Sequence, residues 1–180
     1  LRVEDCTVWH PTQERKIVDG ASFTVRAGEV VGIAGLMGAG RTELAMSLFG
    51  RAYGRNITGR MYVHGKEVRP RNVAEAIEAG IAYATEDRKH YGLNLIEDIR
   101  RNVSAAALNK LASKGFVNGN EEIKVAEGYR RDMNIKAPSV ASVVGKLSGG
   151  NQQKVVLSKW IFTNPDVLIL DEPTRGIDVG

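Results

Sequence analysis

Residues 166–180 read DVLILDEPTRGIDVG, and this stretch decides the fold of the chain. Its four apolar residues, Val167 to Leu170, run directly into Asp171 and Glu172 and then into a proline. The pattern predicts a fully buried strand that ends at a sheet edge with two exposed carboxylates. One carboxylate there suits a Mg²⁺ ion that also holds phosphate oxygens, and the second suits the orientation of an attacking water. Taken alone, a strand whose acidic end only faces solvent explains the segment better, but two more phosphate-related patterns precede it.

The second pattern is the glycine-rich segment 29–50, which reads EVVGIAGLMGAGRTELAMSLFG. It predicts a short buried strand, then a glycine loop, then a helix that Gly50 caps. Backbone N–H groups of such a loop point at an anion, the helix adds its positive end, and a threonine at the helix start coordinates Mg²⁺. The alternative is a plain strand-to-helix turn, and binding is favoured because both flanking elements are present. The strand comprises Val30, Val31 and Ile33, the loop contains Gly35, Gly38, Ala39 and Gly40, and the helix runs from Thr42 to Phe49.

Arg41 stands where this kind of loop carries a lysine. Lysine acts as a compact point charge between the β- and γ-phosphates, whereas arginine is longer, planar and always charged. The exchange keeps the attraction for the anion but displaces the charged head group from the geometry on which phosphoryl transfer depends. We therefore expect this loop to bind nucleotide and to hydrolyse it poorly.

The third pattern is LSGGNQQK at residues 147–154, followed by VVLSKWIF. Val156 with Trp160 places apolar side chains on one face of a helix that begins just after two glycines. Ser148 and the N–H groups of Gly149 and Gly150 would form an anion nest at the start of this helix. By itself, a serine before two glycines would be an ordinary N-cap. Asn164 and Pro165 end the helix.

The segments between these patterns predict the rest of the architecture. Residues 1–25 alternate apolar and polar residues, with a turn signal at Asp19-Gly20, and predict a small antiparallel sheet of short strands. Trp9 is placed in the loop between the first two strands, where it stacks on a base or serves as a hydrophobic plug. A hairpin is predicted about His64-Gly65, with His64 as an exposed turn residue rather than a ligand.

The middle of the chain predicts a return to the main sheet and then a helical insertion. Residues 72–79 form a helix that Asn72 and Glu75 cap at its start, and Gly80 ends it. The strand IAYA follows and leads into the charged cluster of residues 85–89, which is either part of a ligand site or a solvated run of charge. Residues 99–146 have helical periodicity over 105–111 and 121–133, with no convincing strand.

Bulk composition sets broad limits. The 180 residues are 43% hydrophobic and 26% charged, an ordinary globular composition long enough for one large domain or a domain with a subdomain. We expect a soluble chain in a reducing cytosol, because no apolar run approaches the roughly 20 residues of a membrane span and Cys6 is the single cysteine. A net charge of +4 permits an anionic partner without choosing a nucleotide, a polynucleotide or a membrane surface.

The motifs GLMGAGRT, LSGGNQQK and LILDEPTRGID, in this order, resemble the nucleotide-binding domain of ABC transporters over essentially the whole chain. The resemblance implies an α/β P-loop NTPase fold with an antiparallel β-subdomain and a helical insertion, with the core at 1–98 and 147–180 and the helical subdomain at 99–146. The form of LSGGNQQK, of DEPTRGIDVG and of the EDRK after Tyr83 is similar to bacterial importers of ribose, xylose and galactose. The ATPase subunit of those importers carries two such domains in tandem. With an arginine in its phosphate loop, at Arg41, this chain is similar to the second of the two domains rather than the first.

The resemblance also implies a role for each motif residue. The Walker A loop binds the phosphates of ATP, Thr42 and Asp171 hold Mg²⁺, Glu172 orients the attacking water, and Trp9 stacks on adenine, with His10 as its rival. The signature, with Gln152 beside it, reaches ATP held by an opposite domain, and Asp178 lies in the D-loop. Glu86 replaces the glutamine usual in the catalytic Q-loop, which, with Arg41, places this domain's own hydrolysis in doubt. The loop residues are Gly35, Gly38, Ala39, Gly40, Arg41 and Thr42, and the signature residues are Ser148, Gly149 and Gly150.

In the intact protein, the resemblance implies a companion nucleotide-binding domain in a head-to-tail ATP sandwich, membrane permease subunits, and indirectly a periplasmic sugar-binding protein. The site of action would be the cytoplasmic face of the bacterial inner membrane, with no nucleic acid expected. The family's switch histidine would lie beyond Gly180, so we expect the chain to be a C-terminally truncated piece with weak hydrolysis alone. Two alternatives stay open: a catalytically silent regulatory nucleotide-binding module, and a non-transport ABC protein acting on nucleic acid or ribosomes.

Overall fold

The computed structural model describes residues 1–174. The chain divides into two compact units. The first unit consists of Leu1–Tyr83 with Pro165–Ile169, and the second of Ala84–Asn164 with residues 170–174. The second unit extends beyond the predicted helical segment 99–146 at both ends, so the signature and its helix pack with that segment.

The first unit contains a four-stranded antiparallel sheet in the order β2-β1-β3-β4. Its alternating side chains bury Val3, Val8 and Met61 on one face, as a sheet with one covered face requires. The predicted hairpin at His64-Gly65 is confirmed, and both residues have the positive φ that a two-residue hairpin needs, 51° and 76°. The strands are β1 (Arg2–Trp9), β2 (Lys16–Thr24), β3 (Arg55–Val63) and β4 (Lys66–Val68).

The predicted turn at Asp19-Gly20 is wrong, because β2 continues through it. The register with β1 shifts between Cys6 and Val8, and Gly20, with φ of 65°, donates its N–H to Thr7 Oγ1 at 3.0 Å. A bulge therefore absorbs the turn signal, and the chain reverses at residues 10–15 instead. Trp9 is consequently the last residue of β1, not a loop residue as predicted.

The predicted buried strand at 30–33 is also wrong. These residues form no strand, and Val30 is 97% exposed and Ile33 51% exposed. A central strand is stabilised by hydrogen bonds to neighbours on both sides, and within residues 1–174 the sheet that would receive it contains two strands that pair with each other. The apolar sequence is compatible with such a strand but does not supply those partners.

Two short helices follow the sequence signals closely. Helix α1 (Arg41–Leu48) has Phe49 as its C-cap, and Gly50 follows with φ of 69°. A Cβ on Gly50 would lie 2.2 Å from the backbone carbonyl carbon of Asn72, so only glycine fits there. Helix α2 (Val73–Glu78) begins where the Asn72 side chain accepts from the Glu75 N–H at 2.9 Å, and strand β5 (Ile81–Ala84) follows. The predicted cap and strand are confirmed.

The second unit is mainly helical. Its elements are α3 (Ile99–Ser104), the hairpin β6 (Ala112–Ser113) and β7 (Phe116–Val117), α4 (Gly119–Asp132) and α5 (Gly149–Phe162). Helix α3 packs against both α4 and α5. The predicted helix at 105–111 is wrong apart from a single turn at 108–110, because the helix starts earlier, at the Asp98 cap, and ends at Ser104. The missed hairpin turns at Lys114-Gly115, where both φ angles are positive.

Strand β8 (Val167–Leu170) runs beside β5 in a two-stranded sheet. At one end, Asp166 N and Val167 N donate to Gly80 O, and at the other Asp171 N donates to Ala84 O, so the two strands run in the same direction. The prediction that β8 is fully buried is wrong: Leu168 and Leu170 are 37% and 46% exposed. No helix within residues 1–174 is long and apolar enough to cross a membrane.

Candidate functional site: a phosphate loop, a carboxylate-tipped strand and a signature helix

The glycine loop of the first unit has the backbone of an anion-binding nest. Gly38 and Gly40 adopt φ of 79° and 84°, and Ala39 N donates to Leu36 O at 3.0 Å. Gly40 is the N-cap of α1, and among residues 1–174 no side chain caps the helix start. The first amides of α1 therefore face a position where a phosphate would satisfy them and where the helix dipole favours negative charge. The residues present thus fit a nucleotide phosphate.

Close approaches hold this loop in place. A Cβ on Gly40 would lie 2.8 Å from Ile17 O, so the loop backbone passes directly over β2. A Cβ on Gly35 would lie 3.1 Å from the Cβ of Ala39 and 3.7 Å from Cδ of Arg41. The methylene groups of Arg41 therefore lie against the base of the loop. Thr42 follows in the first turn of α1, half-buried at its surface.

The carboxylates of the second unit follow β8 as the sequence predicts. Asp171 is half-buried and is joined to β5 by its N–H, which donates to Ala84 O at 3.0 Å. Glu172 is exposed and has φ of 43°, a left-handed conformation that is uncommon for a residue with a side chain. Such backbone strain is typical of residues held for function. Asp178 lies outside the described residues.

The signature forms the exposed start of α5. Ser148 is the N-cap: its Oγ accepts from Asn151 N at 3.4 Å and from Asn151 Nδ2 at 2.9 Å. Asn151 in turn accepts from Lys136 N at 2.8 Å, which ties the helix start to the preceding segment. Gly149 and Gly150 occupy the first turn of this 14-residue helix without side chains above their amides. The arrangement can present backbone N–H groups and a hydroxyl to an anion.

The charged segment after β5 adopts a structure that the sequence does not predict. Residues 88–92 form a single π-helical turn, which we call the π turn, and Asp87 caps it by accepting from His90 N at 3.1 Å and pairing with His90 Nδ1 at 2.7 Å. These bonds to His90 lower the pKa of the Asp87 carboxyl. Glu86, in the Q-loop position, is half-buried just before the turn.

Gln152 lies inside the second unit. It is 5% exposed, its Oε1 accepts from Arg88 Nε at 3.3 Å, and its Nε2 donates to Val144 O at 3.2 Å. Both ends of the amide are therefore engaged within the unit, and α5 is fastened to the π turn at this point. Contact of Gln152 with a nucleotide stays a prediction.

The aromatic residues near the N-terminus differ in what occupies them. His10 Nδ1 accepts from Thr12 N at 3.1 Å and from Gln13 N at 3.0 Å, so the imidazole holds its own turn together. Trp9 is half-buried with the Lys16 ammonium 5.9 Å from its ring centroid. Since His10 is committed to the turn, Trp9 stays the better prediction for a stacking residue.

Comparison with known proteins identifies the family. The family model described as ABC transporter matches residues 18–175. The chain belongs to the ABC transporter family. The fold agrees: the dimeric, post-hydrolysis ATP-binding cassette MJ0796 with ADP and phosphate has a TM-score of 0.79 at 18% identity, covering 99% of this chain and 76% of that one. The cassette MJ1267 has a TM-score of 0.77 at 23% identity, covering 98% and 70%. The predicted P-loop ATPase fold of ABC cassettes is thereby confirmed.

Curated relatives match over the full length of this ABC chain. The L-arabinose transport ATP-binding protein AraG of Geobacillus stearothermophilus is 57% identical, and the chain covers 35% of it. The xylose import ATP-binding protein XylG of Thermoanaerobacter pseudethanolicus is 49% identical, with 36% covered. The ribose import ATP-binding protein RbsA of Geobacillus kaustophilus is 48% identical over 100% of this chain, with 35% of that protein covered. The chain thus spans about a third of the length of the curated relatives that it matches.

The predicted site residues fall into both units of the cassette. The phosphate loop and Trp9 belong to the first unit, and the carboxylates and the signature belong to the second. Their joint action on one magnesium nucleotide stays a prediction. Sequence reasoning missed two buried charged residues, Glu122 on α4 and Lys159 on α5, although a lysine within the largely apolar run VVLSKWIF was a visible signal for the second.

Proposed function

We propose that this chain is a nucleotide-binding cassette of the ATP-hydrolysing subunit that energises bacterial import of a monosaccharide. The observation that carries the proposal is a similarity that extends over the whole of this chain. The similar proteins are ATP-binding proteins whose names specify arabinose, xylose and ribose. The amide nest at the start of α1 supports the ATP-binding part of the proposal, because backbone N–H groups of this kind are the donors that nucleotide phosphates require.

Each of these elements is given a proposed role. The nest and the α1 dipole hold the phosphates of ATP, and Trp9 stacks on its adenine. A Mg²⁺ ion, if held by Thr42 and Asp171, would offset phosphate charge and favour hydrolysis. Glu172 orients the attacking water, and Glu86, in the segment after β5, is the second catalytic carboxylate. The exposed amides of α5 contact ATP held by a companion cassette, so closure requires both halves.

We further propose that the site formed on this cassette hydrolyses ATP slowly. Arg41 lies along the loop with its methylenes near Gly35, and a guanidinium cannot reproduce the point charge of an ammonium at the same place. The signature is unaffected by this exchange and completes the companion's site. A silent regulatory cassette is the second candidate function, and Arg41 is the observation that favours it.

The membrane permease subunits are proposed to dock on the second unit. A groove of about 690 Å³ lies on this unit. Its wall mixes apolar and charged side chains, as the rim and centre of protein interfaces do. Tyr91, 71% exposed, and Val117, 44% exposed, are apolar surfaces available to a partner there. We refer to it as the docking groove; its lining includes Tyr91, Glu97, Arg100, Leu108, Val117 and Lys159.

The test uses the complete ATPase subunit with its membrane subunits in lipid nanodiscs at the inner-membrane composition. ATP hydrolysis is measured with the cognate sugar-binding protein and a panel of arabinose, xylose, ribose and galactose. We expect hydrolysis that one monosaccharide stimulates. Hydrolysis that no sugar changes, together with tight salt-dependent binding of RNA or DNA, would replace the proposal by the non-transport alternative.

Variants of each cassette then measure how much of the total ATP turnover comes from each of the two nucleotide sites. Removing the water-orienting carboxylate of this cassette, Glu172→Gln, should change total turnover little, because this site is the slow one. The matching change in the companion cassette should abolish most of the turnover. Equal losses from the two changes would contradict the proposed division of labour.

A further inference from the structure

A buried ammonium lies at the wall of the docking groove. Lys159, on α5, is 9% exposed, and it lines the groove together with residues of α3 and α4. Its Nζ donates to Gly92 O at 2.5 Å and lies 4.6 Å from the centroid of the Trp160 ring. An ammonium has three N–H donors, and within residues 1–174 this carbonyl is the one acceptor that Lys159 has.

The carboxylates nearby are already engaged. Glu97 pairs with Arg101 at 2.8 Å. Glu122 accepts from Ser104 Oγ at 2.6 Å and lies 3.4 Å from Arg100 Nε. These acidic side chains of the groove therefore serve the arginines, and in the described part of the chain Lys159 has no ion pair. Burial lowers its pKa to about 8, the result expected of a cation without a counter-charge.

A charge in this situation is costly to the isolated unit. Buried charges in proteins are paired, and loss of one partner of a buried charge pair weakens a complex more than loss of a charge at the exposed rim. The groove around Lys159 opens to solvent through exposed residues such as Tyr91 and Leu108. A partner segment that enters the groove therefore reaches a desolvated cation whose other two N–H groups have no oxygen acceptor within residues 1–174.

We propose that Lys159 receives an acidic side chain from the segment of the membrane subunit that docks in this groove. The proposal rests on the docking proposed above and gives that segment a chemical requirement: an aspartate or glutamate at the position that faces α5. The same contact acts on catalysis. Lys159 holds Gly92 at the end of the π turn, and Gln152, two turns earlier on α5, holds Arg88 at its start.

The contacts of α5 with the π turn make Lys159 a positioning residue for the signature. Gln152, Val156 and Lys159 lie on one face of α5, and a Cβ on Gly92 would lie 3.3 Å from Val156 Cγ2. An acidic side chain that binds the ammonium therefore acts on α5, which begins with the signature, and on the π turn, which follows Glu86. Docking and signature position are coupled through this one side chain.

The experiment measures affinity between the complete ATPase subunit and its membrane subunits in nanodiscs, for the parent, Lys159→Met, Lys159→Arg and the control Lys124→Met. Lys124 is an exposed lysine of α4 that pairs with Glu121. We expect Lys159→Met to weaken assembly by at least about 30-fold, the effect of truncating one partner of a buried charge pair. Lys159→Arg should retain most of the affinity, and Lys124→Met should leave it unchanged.

A reciprocal exchange identifies the acid. In the Lys159→Glu subunit, each aspartate or glutamate of the cytoplasmic segments of the membrane subunit is replaced by lysine in turn, and sugar-stimulated ATP hydrolysis is measured. Restoration by one of these exchanges supports the proposal. The proposal is overturned if Lys159→Met assembles as tightly as the parent, or if it assembles weakly and no acidic position of the membrane subunit gives a matching loss when neutralised. A parent subunit that does not bind the membrane subunits at all would overturn the proposed function as well.

Discussion

Replacing Lys159 by methionine should change the pH dependence of stability in a calculable way. The pKa of the Lys159 ammonium falls from an ordinary 10.5 to about 8 because burial disfavours the charge. Each pKa unit corresponds to about 1.4 kcal/mol, so burying the charged amine costs on the order of 3 kcal/mol below pH 8. Methionine fills nearly the same volume and removes that cost, together with the hydrogen bond to Gly92 O.

The sign follows from proton binding. Between pH 8 and pH 10.5, the unfolded chain keeps the proton on Lys159 and the folded chain does not, so the parent gains stability as the pH rises. The cost is fully present below pH 8 and has vanished above 10.5. From pH 7 to pH 9.5, the parent should therefore gain about 2 kcal/mol of unfolding free energy from this group. Lys159→Met lacks that gain.

The assay is urea unfolding of the complete subunit at pH 7 and pH 9.5. The difference in unfolding free energy between Lys159→Met and the parent cancels the titration of all other groups. We expect this difference to move by about 2 kcal/mol toward the parent as the pH is raised. The ammonium of Lys124 in the parent is exposed. The difference in unfolding free energy between Lys124→Met and the parent should therefore be the same at both pH values. A difference that is the same at both pH values for Lys159→Met would refute the claim that its ammonium is desolvated.

Further predictions concern the loop, a glycine and a cap. Arg41→Lys should raise turnover at this cassette's own site by at least about tenfold in single-turnover measurements, with nucleotide affinity nearly unchanged, because the change acts on the transition state; unchanged turnover would contradict the proposed role of Arg41. Gly50→Ala should destabilise the fold by roughly 3 kcal/mol, measured by thermal unfolding, because its Cβ would meet the Asn72 backbone at 2.2 Å. At Gly65 the added Cβ would meet nothing within 4 Å, so Gly65→Ala should cost only the strain of φ at 76°, about 1 to 2 kcal/mol. Asn72→Ala should cost about 1 kcal/mol by loss of the bond to Glu75 N, and Asn72→Ser should restore most of it.

The sequence by itself determined the features that depend on neighbouring residues. The Asn72 and Ser148 caps follow from side chains within three residues of the backbone N–H groups that they accept from. The hairpin at His64-Gly65 follows from two adjacent residues that adopt positive φ. The positive φ angles of the phosphate loop were predictable for the same reason, because glycine adopts them readily without help from distant residues. The family, too, is encoded in motifs that are contiguous in the chain.

Only the tertiary structure decided the features that depend on distant partners. The apolar run at 30–33 has the composition of a strand, but strand formation depends on which other strands offer hydrogen bonds. The Asp19-Gly20 signal became a bulge because β1 continues beside it. Burial of Lys159 depends on Gly92, 67 residues away, and on the helices around it. Such contacts join residues far apart in sequence, so local patterns carry no information on them, and the folded structure is what turns an ordinary lysine into a desolvated cation.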